Sequence, residues 1–245
     1  WDTDSNWEEG LAPQLLDDVV IPADAPNAPA LLTSITWTYL HSITTAKDIG
    51  TNGRRLYLTG DLNLDGGSFS AYPTIELSKG DHVIGGTGDL YLNWHSSLTY
   101  SLGGEGGVIK RGSGKIYTGT ASPVMIKGGL AVEGGTFQLS NAGDTFPYCT
   151  NITVSGAGSL FSVASAVINT NATVSLNDSG QLNLNGSFTN LVYRYVMENN
   201  CQKANRTYGS TASEAVKTDD VHFVGAGMIQ PWYDDIPLGF MLILR

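Results

Sequence analysis

Asp61, Asn63 and Asp65 fall at alternate positions and are followed by Gly66. Side-chain oxygens in the order Asp-Xaa-Asn-Xaa-Asp-Gly form the first half of a calcium-binding loop, which bends so that they converge on one ion. The twelfth position of such a loop supplies a bidentate Glu; here it is Tyr72. The intervening Leu62 and Leu64 continue a two-residue alternation, so the same three polar residues also fit the outward face of a β-strand. Calcium is the one cofactor this chain puts forward, with Asp61, Asn63 and Asp65 as its candidate ligands.

Other chemistry is sparse. Cys149 and Cys201 either make a single disulfide in an oxidising compartment or stay as separate thiols. His41, His82, His95 and His222 lack the spacing of a metal-ligand pair and are expected on the surface or in loops. The acidic doublets Asp17-Asp18, Asp219-Asp220 and Asp234-Asp235 are not the facing carboxylates a glycosidase needs, because neighbours in a strand point to opposite faces. The basic doublets Arg54-Arg55 and Lys110-Arg111 lie beside Gly-rich turns, where solvated cations are common. Neither a Gly-Xaa-Ser-Xaa-Gly elbow nor a phosphate loop occurs. Five Trp and 11 Tyr offer rings that could stack on sugars, although packing accounts for most of them. No residue is assigned a catalytic role, and an enzyme is not the expectation.

The charge narrows the partners. Thirteen Lys and Arg stand against 23 Asp and Glu, a formal net charge of −10. Nucleic acid and anionic membrane surfaces are therefore disfavoured, since both are held by clustered cations. No apolar run is long enough for a membrane-spanning helix. The 245 residues include 30 Gly and only 15 % charged side chains, with 41 % hydrophobic residues to build a core. A start at Trp1 fits a removed leader or a sequence that begins partway.

The elements that must position these residues are strands. Helical periodicity is missing throughout. In residues 55–65, Leu56, Leu58, Leu62 and Leu64 share one face, with Tyr57, Asp61 and Asn63 on the other. Similar short stretches recur to about residue 184, including Ala166-Val167-Ile168, separated by Gly-rich and Asn-rich turns. Strands this short with turns this frequent predict an all-β solenoid, a parallel β-helix with terminal caps; a β-sandwich is the alternative. The expected organisation is an N-terminal cap at 1–30, β-helix rungs over 31–192, an insertion or long loop at 193–220, and closing strands with an apolar C-terminal segment at 221–245.

One segment carries a resemblance. Gly106-Gly107-Val108-Ile109-Lys110-Arg111-Gly112-Ser113-Gly114-Lys115-Ile116-Tyr117-Thr118-Gly119 resembles the autotransporter-associated β-strand repeat. Its continuation fits Val124-Met125-Ile126-Lys127-Gly128-Gly129-Leu130-Ala131-Val132 and Gly134-Gly135-Thr136-Phe137-Gln138-Leu139. The family implies a right-handed parallel β-helix, exported by a bacterium and displayed at or beyond the cell surface, with no shared catalytic residues. This chain shows one clear repeat where relatives often carry several. No translocator-barrel strands follow Arg245, so autotransport by this chain alone is not expected.

The resulting expectation is a non-catalytic extracellular structural or surface protein, self-assembling into filaments or serving as an adhesin scaffold. Its partner would be a second copy of itself or a surface glycan or protein. Leu238, Phe240, Leu242 and Leu244 lie in an apolar C-terminal stretch that would join subunits or pack on its own core. The alternative is a carbohydrate-binding or polysaccharide-degrading β-helix.

Overall fold

The computed structural model describes residues 4–26, 37–50, 55–70, 74–93, 99–119 and 122–234. Apart from a 3-10 turn at Asp4–Asn6, its regular structure is β. Leu62 and Leu64 of one strand are buried while Asn63 between them is not, and the same pattern recurs at Leu90–Leu92, Val124–Ile126 and Leu130–Val132. Each strand thus offers only two or three inward side chains. It gains a core by stacking on the strands of the turns before and after it.

The result is a β-solenoid of about 7 turns with parallel sheets. Three faces run along its length. The first contains Leu62–Leu64, Asp81–Gly86, Gly107–Lys110, Leu130–Val132, Asn151–Ser155, Thr173–Asn177 and Arg194–Met197 in that order. The second runs from Ile49–Gly50 through Phe69–Ser70, Leu90–Leu92, Lys115–Thr118, Thr136–Leu139, Leu160–Val163 and Gln181–Leu184 to Phe223–Val224. The third contains Arg55–Leu58, Thr74–Leu77, Leu102–Gly104 and Val124–Ile126. The nine-residue strand Trp37–Thr45 joins two of them, pairing through Trp37–Leu40 with the third face and through Ile43–Thr45 with the first, and the earlier strand Asp17–Ile21 stacks on it in parallel.

Register is strict inside. Val108, Leu130, Ile152 and Val174 form one ladder, each 22 residues after the last. Phe69, Leu90, Ile116, Phe137, Phe161, Leu182 and Phe223 form another on the second face. Phe137, Phe146 and Phe161 pack with ring centroids 6.0–6.3 Å apart, close to the edge-to-face arrangement aromatic rings prefer. These parallel ladders exclude the sandwich alternative. The two antiparallel pairings among the described strands both involve residues beyond 190, Val196 with Cys201 and Tyr208 with Ile229. Ala166-Val167-Ile168 forms no strand; only Ile168 bridges, to Phe146.

The corners are where the backbone leaves the ladders, and three buried polar side chains hold them. His82 closes the corner from the third face to the first: its Nδ1 lies 2.7 Å from the Gly60 carbonyl and its Nε2 2.9 Å from that of Ser78. Lys110 closes the corner from the first face to the second. Its Nζ donates to the carbonyls of Arg111 (2.7 Å), Gly112 (3.0 Å) and Gly134 (3.3 Å). Asp144 closes the corner from the second face to the third, accepting from the Thr118 hydroxyl and the amides of Ser122 and Asn141 at 2.6–2.8 Å. Each joins its own turn to a neighbouring one. Two expectations are corrected here. His82 is 3 % exposed rather than at the surface, and Lys110 is 2 % exposed rather than solvated. Lys110 occupies an inward ladder position between Ile84 and Val132, and its aliphatic stem fills that place while its ammonium reaches the corner.

Glycines supply the remaining room. A Cβ on Gly88 would overlap the carbonyl oxygen of Gly67 one turn below, and one on Gly114 would overlap that of Gly88. Gly88→Ala is expected to lower the unfolding free energy by about 3 kcal/mol, the upper range for overpacking. Gly129→Ala, where the nearest atom would lie at 3.4 Å, should stay within about 0.5 kcal/mol. Urea titrations of the two variants test this, and equal effects would refute the close approach. Burial pushes the Lys110 ammonium down to about 8, against weak support from Asp89. The unfolded chain then holds the proton more tightly, so Lys110 makes stability rise between roughly pH 8 and 10.5. Lys110→Met should lose that rise, measured as the parent-minus-variant difference so that titrating tyrosines cancel.

Candidate functional site

The calcium candidates come out on the first face. Leu62 and Leu64 point inward, which turns Asp61 and Asn63 to the outside, with Asp65 just past the strand. An extended strand holds side chains two residues apart by about 6.6 Å. Ligands of one calcium must bring their oxygens within about 2.6 Å of it, which requires the chain to bend. One Asp61 oxygen already accepts the Val83 amide at 2.8 Å. Among the described residues no three His, Cys, Asp or Glu side chains gather to hold a metal.

Cys149 and Cys201 are free thiols, so the candidate disulfide is not formed. Cys149 is buried just before Asn151–Ser155, whereas Cys201 lies in Asn200–Cys201. Two strands, Thr173–Asn177 and Arg194–Met197, stand between them in the sheet. At about 4.8 Å per strand that separation far exceeds the reach of a disulfide. Burial pushes the Cys149 thiol up to about 12, so it packs as a small apolar group. Leu238, Phe240, Leu242 and Leu244 lie outside the described residues, as does His95.

A charged cluster forms where the solenoid ends. The second face jumps from Leu182 to Phe223, and the intervening chain includes Arg194–Met197 of the first face. His222 is the residue before the returning strand, with a side chain only 8 % exposed. It lies in a turn, within the expectation of a surface or loop position, but its side chain is buried there. Its Nδ1 lies 2.6 Å from Asp219 and its Nε2 2.9 Å from Glu198, which sits in the turn between Arg194–Met197 and Asn200–Cys201. An imidazole donates from both nitrogens only when protonated. Burial opposes that charge, but the hydrogen bonds to Asp219 and Glu198 outweigh it and hold the His222 pKa above its ordinary 6.5. Burial likewise disfavours an ionised Asp219, yet hydrogen bonds from His222 and the Val221 amide keep its carboxyl below the usual range. With both nitrogens engaged, His222 is a clasp rather than a base. Asp219 and His222 were readable as a local pair; Glu198, 24 residues away, was not.

The outer side of the third face carries a different surface. Tyr39, Tyr57, Glu76, Gly103 and Met125 stand in one outward ladder across five strands. Gly103 has no side chain, and the Tyr100 ring lies over it. The Tyr100 hydroxyl donates to Glu76 Oε2 at 2.9 Å. Burial, reinforced by Glu76, pushes the Tyr100 hydroxyl up to about 12, so it stays a donor. Tyr39 and Tyr57 tilt against each other with centroids 5.3 Å apart. Tyr148 borders the groove one turn beyond Met125 and is 50 % exposed. The groove encloses about 220 Å³, and the Glu105–Lys127 ion pair forms part of its rim. These tyrosines are visible in the sequence but their alignment is not, because register between turns is set by turn lengths.

No family model matches this chain, and no curated protein or solved structure matches it.

The His222 clasp yields a pH dependence. A folded-state pKa raised above the unfolded value contributes stability that is fully present below about pH 6.5 and lost as pH rises through the folded pKa. His222→Gln should lower stability by about 1–2 kcal/mol in mild acid. The gap to the parent should close through neutral and mildly alkaline pH. Urea unfolding at several pH values measures it, and a gap that does not change with pH would rule the clasp out.

Proposed function

We propose that this protein is an exported bacterial surface protein with a mechanical role, a rigid scaffold for adhesion that assembles with copies of itself. The observation that carries this reading is where its ionisable side chains are used. His82, Lys110 and Asp144 bind the backbone of their own and neighbouring turns, and His222 binds two carboxylates across the terminal turn. Groups that could do chemistry elsewhere here tie turns to one another. A solenoid whose stability is a sum of interfaces between adjacent turns makes an elongated, stiff body. The resemblance of residues 106–139 to the autotransporter-associated repeat supports export and display. Among the described residues no helix is long and apolar enough to cross a membrane.

Assembly is assigned to the apolar C-terminal stretch holding Leu238, Phe240, Leu242 and Leu244, through which one copy would meet the next. Negative-stain electron microscopy with light scattering on the full chain is the test. Filaments or regular oligomers are expected, and removal of residues 238–245 should reduce them to monomers with an unchanged melting temperature. A full chain that stays monomeric at every concentration tested, or assemblies indifferent to the truncation, would overturn the assignment.

A further inference from the structure

We infer that the groove on the outer side of the third face binds a neutral polysaccharide laid along the solenoid axis. Three features argue for it. First, the ladder from Tyr39 to Met125 covers four strand spacings, about 19 Å, in a straight row. A linear chain of pyranose rings, each roughly one strand spacing long, can follow such a row without bending. Second, the ligand must be recognised by side chains alone. Thr74–Leu77 and Leu102–Gly104, at the middle of the row, are paired on both edges, so these strands offer no open backbone edge for a peptide to extend the sheet. What the groove offers is ring faces at Tyr57 and Tyr148 and the carboxylate of Glu76. One Glu76 oxygen is held by Tyr100, and the other has no donor among the described residues. Ring faces suit the C–H surfaces of a pyranose, and a positioned carboxylate suits its hydroxyls.

Third, the groove has no bare cluster of cations to hold a polyanion. Lys127 pairs with Glu105, the exposed Lys79 stands against Glu76, and Arg55, close enough to Tyr100 to act on its hydroxyl, is itself engaged. On a chain of net charge −10 such a groove does not gather polyanions. The other two faces differ. The first presents the row Ile109, Ala131, Thr153, Ser175 and Val196, which has no rings. The second has one ring pair, Tyr91 and Tyr117, with centroids 4.9 Å apart, and its ladder continues through Gln138. That pair offers ring area on a different face from Tyr57 and Tyr148, so it is a control within the same molecule. The inference does not depend on filament formation.

The test is electrophoresis of the native full chain through gels containing hydroxyethyl cellulose, galactomannan or arabinoxylan, with alginate and polygalacturonate as anionic comparisons. At least one neutral polymer should retard the parent. Replacing both rings, Tyr57→Ala with Tyr148→Ala, should weaken that retardation about tenfold, as expected for losing two stacked rings. The double variant Tyr91→Ala with Tyr117→Ala should behave as the parent. Melting curves establish that each variant is folded, and Glu76→Gln, which leaves the rings in place, should weaken binding if a ring variant fails to fold. Retardation by no neutral polymer, retardation by the anionic polymers alone, or equal loss in the two double variants would each overturn the inference.

Discussion

The satisfaction of backbone polar groups at the corners is the constraint on which this solenoid depends. Along the faces the interior strands find their hydrogen bonds in the turns on either side. At three corners per turn the chain must change direction next to a closed, dry core, and there the ladder bonds stop. An unpaired buried carbonyl or amide costs about 1–3 kcal/mol, so many such corners would exhaust the stability of a domain this size. Lys110 and Asp144 each answer one corner with several hydrogen bonds, and His82 sets its ring nitrogens against carbonyls of two turns. The three have different chemistry because the corners expose different groups. Carbonyls face His82 and Lys110, whereas amides and a hydroxyl face Asp144.

The same constraint explains why small residues crowd the turns. A corner that packs directly on the corner below leaves no space for a Cβ, as at Gly88 over Gly67. Beyond Arg194–Met197 the first face has no further parallel strand among the described residues, and another answer is needed there. There the inward ladder changes from Val174 to Tyr195, and the rings of Tyr208 and Phe223 pack against Tyr195 at 5.2 and 5.5 Å. These larger rings extend the core past Val174. His222 then fastens the returning strand to the Glu198 turn, an ionic contact in the place of a missing ladder.

Inward alternation was the most readable feature of the chain. Leu56, Leu58, Leu62 and Leu64 announce strands, their shortness announces a solenoid, and all four are at most 1 % exposed. Three things could not be read. Lys110 occupies an apolar ladder position, and in a one-dimensional pattern a lysine beside Gly-rich residues looks solvated. His82 follows an acidic residue and a turn, with nothing local to mark the Gly60 carbonyl 22 residues back. The third concerns Asp61, Asn63 and Asp65, whose spacing fits both an ion-binding bend and an outward strand face. Only the pairing of Leu62 and Leu64 with Ile84 and Gly86 identifies the strand.

Register between turns is also what separates a candidate surface from a list of tyrosines. Inside the solenoid register is constrained twice, by the ladders and by the packed core, so an inward substitution is felt by several turns. Outside, the ladder aligns side chains while the core places no demand on what they are. An outward row can therefore vary from the small residues above Ile109 to the rings around Tyr57 without altering the fold. Turn length becomes a means of choosing neighbours. Tyr57 meets Glu76 after 19 residues, while Glu76 meets Gly103 after 27, and the longer excursion is what delivers the Tyr100 ring onto the row. In a protein built this way the core specifies the spacing of a surface and the corners specify its register. The chemistry of that surface is left to residues that contribute little to holding the molecule together.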